Sequence, residues 1–104
     1  MDELELICFK MISAVGAAKS LYMEAILEAK NNNFDKSASL IEEGSKIYVE
    51  GHHAHSELIQ KLANGETIEF NILLLHAEDQ MMSAETIKIM AEEFIELYKK
   101  LNLH

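Results

Sequence analysis

His76, Asp79 and Gln80 break an otherwise apolar stretch, with Leu73-Leu74-Leu75 before them and Met81-Met82 after. Neutral imidazole keeps one nitrogen lone pair free near physiological pH, so His76 has the chemistry of a general base, a metal ligand or a covalent nucleophile. Gln80, one helical turn on, can donate amide protons to an anion held on that ring or can simply orient the ring. Asp79 can accept a proton, bind a metal or form an ion pair with a lysine. Each residue also has a structural reading, because histidines in core phase are more often packed and hydrogen-bonded than reactive.

Two further histidines weaken that structural reading. In Gly51-His52-His53-Ala54-His55, His52 and His55 share the phase of the neighbouring apolar residues, while His53 falls off it. The pairs His52/His55 and His76/Asp79, each at i,i+3, make a possible four-ligand zinc set, although that spacing alone is weakly specific. Cys8 is the only cysteine and has no histidine beside it in sequence, which predicts a half-buried structural thiol and no intrachain disulfide. No phosphate-binding glycine loop, dinucleotide fingerprint or G-x-S-x-G elbow occurs, so phosphoryl chemistry would need a donor other than loop-bound nucleotide.

Helices must hold these groups. The 104 residues contain no proline and only four glycines, the composition of long uninterrupted helices and of one domain over residues 1–104. Leu4, Ile7, Met11, Ala14, Ala18, Leu21 and Ala25 recur by threes and fours, predicting a first helix over about Asp2 to Lys30. Its small stretch Ser13-Ala14-Val15-Gly16-Ala17-Ala18 predicts a close approach of another helix. Asn31-Asn32-Asn33 ends it and supplies a cap for a second helix, about Phe34 to Leu62, whose seam reads Ala38, Ile41, Ser45, Tyr48, His52, His55, Ile59, Leu62. After the Asn64-Gly65 turn, with Thr67 or Asn71 as cap, a third helix runs to about Leu101. Its seam, Leu73, His76, Gln80, Ser83, Ile87, Met90, Phe94, Leu97, Leu101, is polar at one end, and Glu78, Glu85, Lys88, Glu92, Glu96 and Lys99 on the other face read as solvated. The fold class is all-α, an antiparallel three-helix bundle. A second stripe, Leu75, Met82 and Ile89, flanks Asp79 and suggests contact with other subunits.

Eighteen acidic residues face nine basic ones, all of them lysine, for a net charge of -9. Such a surface repels nucleic acid and anionic lipid and lacks the arginine fork that reads phosphates and bases. The sequence predicts no apolar run approaching the ~20 residues of a membrane span, and the acidic start Met1-Asp2-Glu3-Leu4-Glu5 is unlike a signal peptide. The expectation is a cytoplasmic protein with no direct membrane insertion.

The stretch Leu73-Leu74-Leu75-His76-Ala77-Glu78-Asp79-Gln80-Met81-Met82-Ser83 resembles the signature of the lactose/cellobiose (chitobiose) type enzyme IIA of the bacterial phosphoenolpyruvate-dependent sugar phosphotransferase system. Ile12 to Ser20, Phe34-Asp35, His52 to Gln60 and Phe94 to Leu101 extend the resemblance in the same order and spacing. It implies a homotrimer of three-helix protomers that relays phosphate for uptake of a β-linked disaccharide. His76 would accept a phosphoryl group from the phosphohistidine of HPr and pass it to a cysteine of the IIB component, which serves the IIC transporter. Asp79 would meet its symmetry mates on the trimer axis and share a metal ion, usually Mg2+. Gln80, His52 and His55 are the candidates to serve the phosphate oxygens, the histidines within or across subunits. The chain departs from many relatives in carrying Glu78 where glutamine is common, Gln80 where a second histidine is common, and His55 where glutamine is common. Gln80 therefore has no proton-shuttle role. The alternative from another class is a helical zinc-binding protein using His52, His55, His76 and Asp79.

Overall fold

Polar side chains punctuate the chain where the sequence places them. The Asp2 carboxylate accepts the Glu5 amide at 2.8 Å, satisfying one of the donors that every helix start leaves without a partner. The computed structural model describes residues 2–102 and shows three helices, α1 (Glu3–Lys30), α2 (Phe34–Ala63) and α3 (Ile72–Asn102). Asn32 takes the left-handed conformation at φ 65°, as an asparagine turn permits. Asn33 does not cap α2 with its side chain, which instead donates back to Glu28 at 2.8 Å. Gly65, at φ 83°, turns the chain after α2. Of the two candidate caps for α3, Asn71 serves, its Oδ1 accepting the Leu74 amide at 2.9 Å.

The bundle measures 56 × 21 × 20 Å, and α1 is its hub. It packs closely against both other helices, whereas α2 and α3 touch each other sparingly. Small residues allow that approach. A Cβ built on Gly44 would stand 2.8 Å from Tyr22 Cε1 and 3.3 Å from the Ala18 carbonyl oxygen; one on Gly51 would stand 2.8 Å from Val15 Cγ1. On α3 the alanines Ala77, Ala84 and Ala91, spaced by heptads, are fully buried. Buried polar groups are matched: Ser37 Oγ donates to the Ala25 carbonyl at 2.7 Å, and Tyr22 shares a 3.2 Å hydrogen bond with Ser45.

This packing rotates two of the three expected seams. On α1, Ile7, Met11, Ala14, Ala18 and Ala25 are buried as expected, and Cys8, Val15, Tyr22 and Ala29 widen the face. On α2 the buried set is Ser37, Leu40, Gly44, Gly51, Ala54 and Leu58, and on α3 it is Ala77, Met81, Ala84, Ala91 and Ile95. Each lies about one residue, ~100° of helix, from the seam read by bulk. The physical reason is that α1 comes too close for large side chains, so they are displaced to the flanks. Phe94 stays 39% exposed and Leu101 59% exposed. Gly16, inside the small stretch of α1, meets nothing within 4 Å, so the close approach there belongs to Ala14, Val15 and Ala18.

Two further expectations change. By length and composition alone α1 is apolar enough to cross a membrane, contrary to the expectation of no such run, because a hub helix must present apolar residues to two neighbours. Cys8 is fully rather than half buried, and burial, with the nearby charges of Glu78 and Asp2, pushes its thiol up from the ordinary value. The thiolate is the nucleophile, so Cys8 is expected to resist iodoacetamide in the native protein and react once denaturant is added, as mass spectrometry would record. Gly44→Ala forces the hydrogen-bonded Tyr22 ring or the α1 backbone to move, and overpacking of about 1–3 kcal/mol outweighs the helix-propensity gain of at most about 1 kcal/mol. The melting temperature by circular dichroism should therefore fall by roughly 5 °C. Gly16→Ala, free of contacts in the protomer, should not lower it.

Candidate functional site

The cap at Asn71 fixes where α3 begins, and the burial of Ala77 fixes how it is turned. Together they place His76 in the second turn with its side chain exposed. Gln80, half-buried, follows at i,i+4 on the same flank, so the structure brings these two predicted residues together. Asp79 is exposed and lies between Leu75, 47% exposed, and Met82, 59% exposed. A carboxylate set among exposed apolar side chains is unusual for a free surface.

The α2 histidines lie elsewhere. His55 Nε2 is 2.7 Å from Glu78 Oε1, the nitrogen donating to the carboxylate, and the pair is partly buried. Glu78 follows His76 by two residues, which sets their side chains ~160° apart around α3 at ~100° per residue. Within one subunit, therefore, His55 faces the flank of α3 opposite His76. His52 is exposed and stacks on Tyr48, ring centroids 6.5 Å apart and planes 18° apart. Burial, together with the charge of Glu85, pushes the Tyr48 phenol up from its usual range, so Tyr48 stays neutral beneath that ring. The zinc set is not assembled: among the described residues no group of three or more histidine, cysteine or acidic side chains is disposed to hold a metal ion.

Glu78 is the residue that the bulk-based phase misplaced. It was expected on the solvated face, yet it reaches α2. The signal lay in the small residues: the heptad Ala77, Ala84, Ala91 marks the true contact line, and Glu78 sits at its edge toward α2. Chemically, an exposed imidazole on a rigid helix suits a reaction in which another protein presents the second reactant.

Comparison with known proteins agrees with this arrangement. The family described as "PTS system, Lactose/Cellobiose specific IIA subunit" matches residues 6–99. The chain is 39% identical over 100 residues to the lichenan-specific phosphotransferase enzyme IIA component of Bacillus subtilis, covering 96% of this chain and 91% of that one. It is 35% identical over 99 residues to the lactose-specific EIIA component of Staphylococcus epidermidis, covering 95% of each. The crystal structure of the cellobiose-specific enzyme IIA from Bacillus anthracis superposes with a TM-score of 0.96 at 41% identity, covering 99% of this chain and 94% of that one. With one continuous match running through the His76 helix and the whole bundle reproduced, this chain belongs to the lactose/cellobiose-specific IIA family of the sugar phosphotransferase system.

Proposed function

We propose that the protein is a cytoplasmic phosphocarrier in which His76 takes a phosphoryl group from phospho-HPr and delivers it to a IIB cysteine, for uptake of a β-linked disaccharide through the IIC transporter. The carrying observation is the exposed His76 ring, with Gln80 one turn on, in a chain of the IIA family. Relatives named for lichenan, lactose and cellobiose support the sugar class.

In the first step a neutral His76 nitrogen attacks phosphorus. The new N–P bond forms as the donor's N–P bond breaks, and the donor imidazole leaves with the electron pair. In the second step a IIB thiolate attacks the same phosphorus, forming S–P and returning His76 to its free state. Phosphoryl transfer passes through a loose transition state, so in-line placement and service to the equatorial oxygens are what a protein can contribute. Gln80, one turn on, would donate an amide proton. His52, which does not face His76 within one subunit, would serve from a neighbouring one, whereas His55 Nε2 is already engaged by Glu78 in its own subunit. Without arginine, the remaining donors are backbone N–H groups, lysine and the partner's own side chains.

A homotrimer accounts for the displaced bulk. The exposed Leu75, Met82, Ile89, Met90, Leu97 and Leu101 of α3 form a face that an isolated protomer leaves in water. Asp79 fits a hard cation such as Mg2+ by donor type, but one chain offers a single carboxylate at that point; copies of Asp79 from three subunits would hold the ion. The ion would neutralise carboxylates that otherwise repel one another.

Incubation with phosphoenolpyruvate, enzyme I and HPr should give an acid-labile, base-stable adduct on the wild-type protein and none on His76→Ala. Undiminished labelling of His76→Ala would end this reading. Asp79→Leu is expected to remain trimeric in native mass spectrometry, since removing three like charges offsets the lost ion. A monomeric mass for that variant would contradict the expectation that removing the charges offsets the lost ion.

A further inference from the structure

We infer that the Glu78–His55 pair is a positioning device that fixes the rotation of α3 about its own axis and thereby aims His76. The inference rests on the phosphocarrier reading for its kinetic consequence, but its structural content stands on contacts in this chain alone.

Among the described residues, side-chain hydrogen bonds and ion pairs tie α1 to α2 at several points, through Ser37, Ser45, Lys36 and Lys61. For α3 there is one such tie to another helix, His55 Nε2 to Glu78 Oε1 at 2.7 Å. Among the described residues the rest of what holds α3 is apolar packing, whose contact line sets Met81 and Ile95 between or beside the small residues Ala77, Ala84 and Ala91. Alanine ridges are low. They allow close approach but interlock weakly, so they resist rotation less than large interdigitating side chains do. A directional polar bond supplies the missing constraint. It also acts in the turn that carries the reactive group, because Glu78 is two residues after His76 and points the other way around the helix.

The site gives the pair a reason to persist. His55 has 21% and Glu78 39% of its side chain exposed, so both are partly withdrawn from water and each needs the other. Its partial burial and its contact with His55 place the Glu78 carboxylate at the edge of the core rather than free in solvent, and its charge helps push the buried Cys8 thiol up. With side chains carrying a helix to a radius of about 5–6 Å, a 10° rotation shifts the His76 ring by about 1 Å. For an in-line displacement, misplacement on that scale costs on the order of 100-fold in rate.

The test is Glu78→Ala, His55→Ala, the double variant and Glu78→Gln, each assayed below its melting temperature for transfer from phospho-HPr and to IIB. We expect both alanine variants to lower kcat by roughly tenfold or more with KM for the partner protein unchanged, the double variant to be no slower than either single one, and Glu78→Gln, which keeps an oxygen acceptor, to stay within about threefold of wild type. A purely structural pair would lower stability and leave kcat alone. In parallel, the ring proton resonances of His76 should shift or broaden in Glu78→Ala while Glu78→Gln retains the wild-type signature. Wild-type kcat in Glu78→Ala, or additive losses in the double variant, overturns the inference and leaves the phosphocarrier reading intact. A wild-type protein that takes no phosphate overturns that reading instead, and the His76 resonances then decide the positioning role by themselves: an unmoved ring in Glu78→Ala ends it.

Discussion

The close approach of α1 to its two neighbours governs the rest of the molecule. Gly44 and Gly51 let α2 come within van der Waals reach of the α1 backbone, and the alanine heptad of α3 does the same on the other side. Individual alanines contribute little apolar area, so the stabilisation comes from many short-range contacts along nearly the whole length of α1. Large side chains have no room on those lines and are moved outward. The hub also explains why α1 is the most apolar helix, since it has two contact faces where α2 and α3 have one each.

This constraint decides what the sequence reveals. Helix identity and ends were legible, because Asp2, the asparagine turn, Asn64-Gly65 and Asn71 act locally through capping and left-handed geometry. The phase of α1 was legible too. The phases of α2 and α3 were not, because hydrophobic periodicity weighs Ile, Met, Phe and Leu above Gly, Ser and Ala. Here the bulky stripe and the contact line are different stripes, one residue apart. The larger apolar stripe of α3 thus lies outside the protomer's own core, and it is this stripe that the proposed trimer would cover.

The site was legible in proportion to how local its chemistry is. His76, Asp79 and Gln80 stand out as polar residues within an apolar run, and their relation along one helix follows from spacing alone. Glu78 does not stand out, since its partner is 23 residues away on another helix and its type matches the solvated glutamates around it. The contact that His55 makes was hidden for the converse reason. The phase of His55 was correctly off the solvated face, but what it faces depends on the rotation of α3, which the bulky seam misstates.

For a relay, an exposed and lightly furnished site has a thermodynamic logic. A carrier that held phosphate through several charge-assisted hydrogen bonds would stabilise its own phosphorylated form and slow the second transfer, because only interactions stronger in the transition state than in the ground state help. A chain with a net charge of -9 and no arginine offers few such bonds. On the proposed reading, Gln80 would offer a single neutral amide at all times, and further donors brought by each partner would act only while that partner is docked. The net charge of -9 would also disfavour retention of a dianion between encounters. On that reading, placement of the imidazole would be the main contribution left to this protein, and it would depend on how α3 is held against rotation, by its apolar contact line and by the one polar tie from Glu78 to His55.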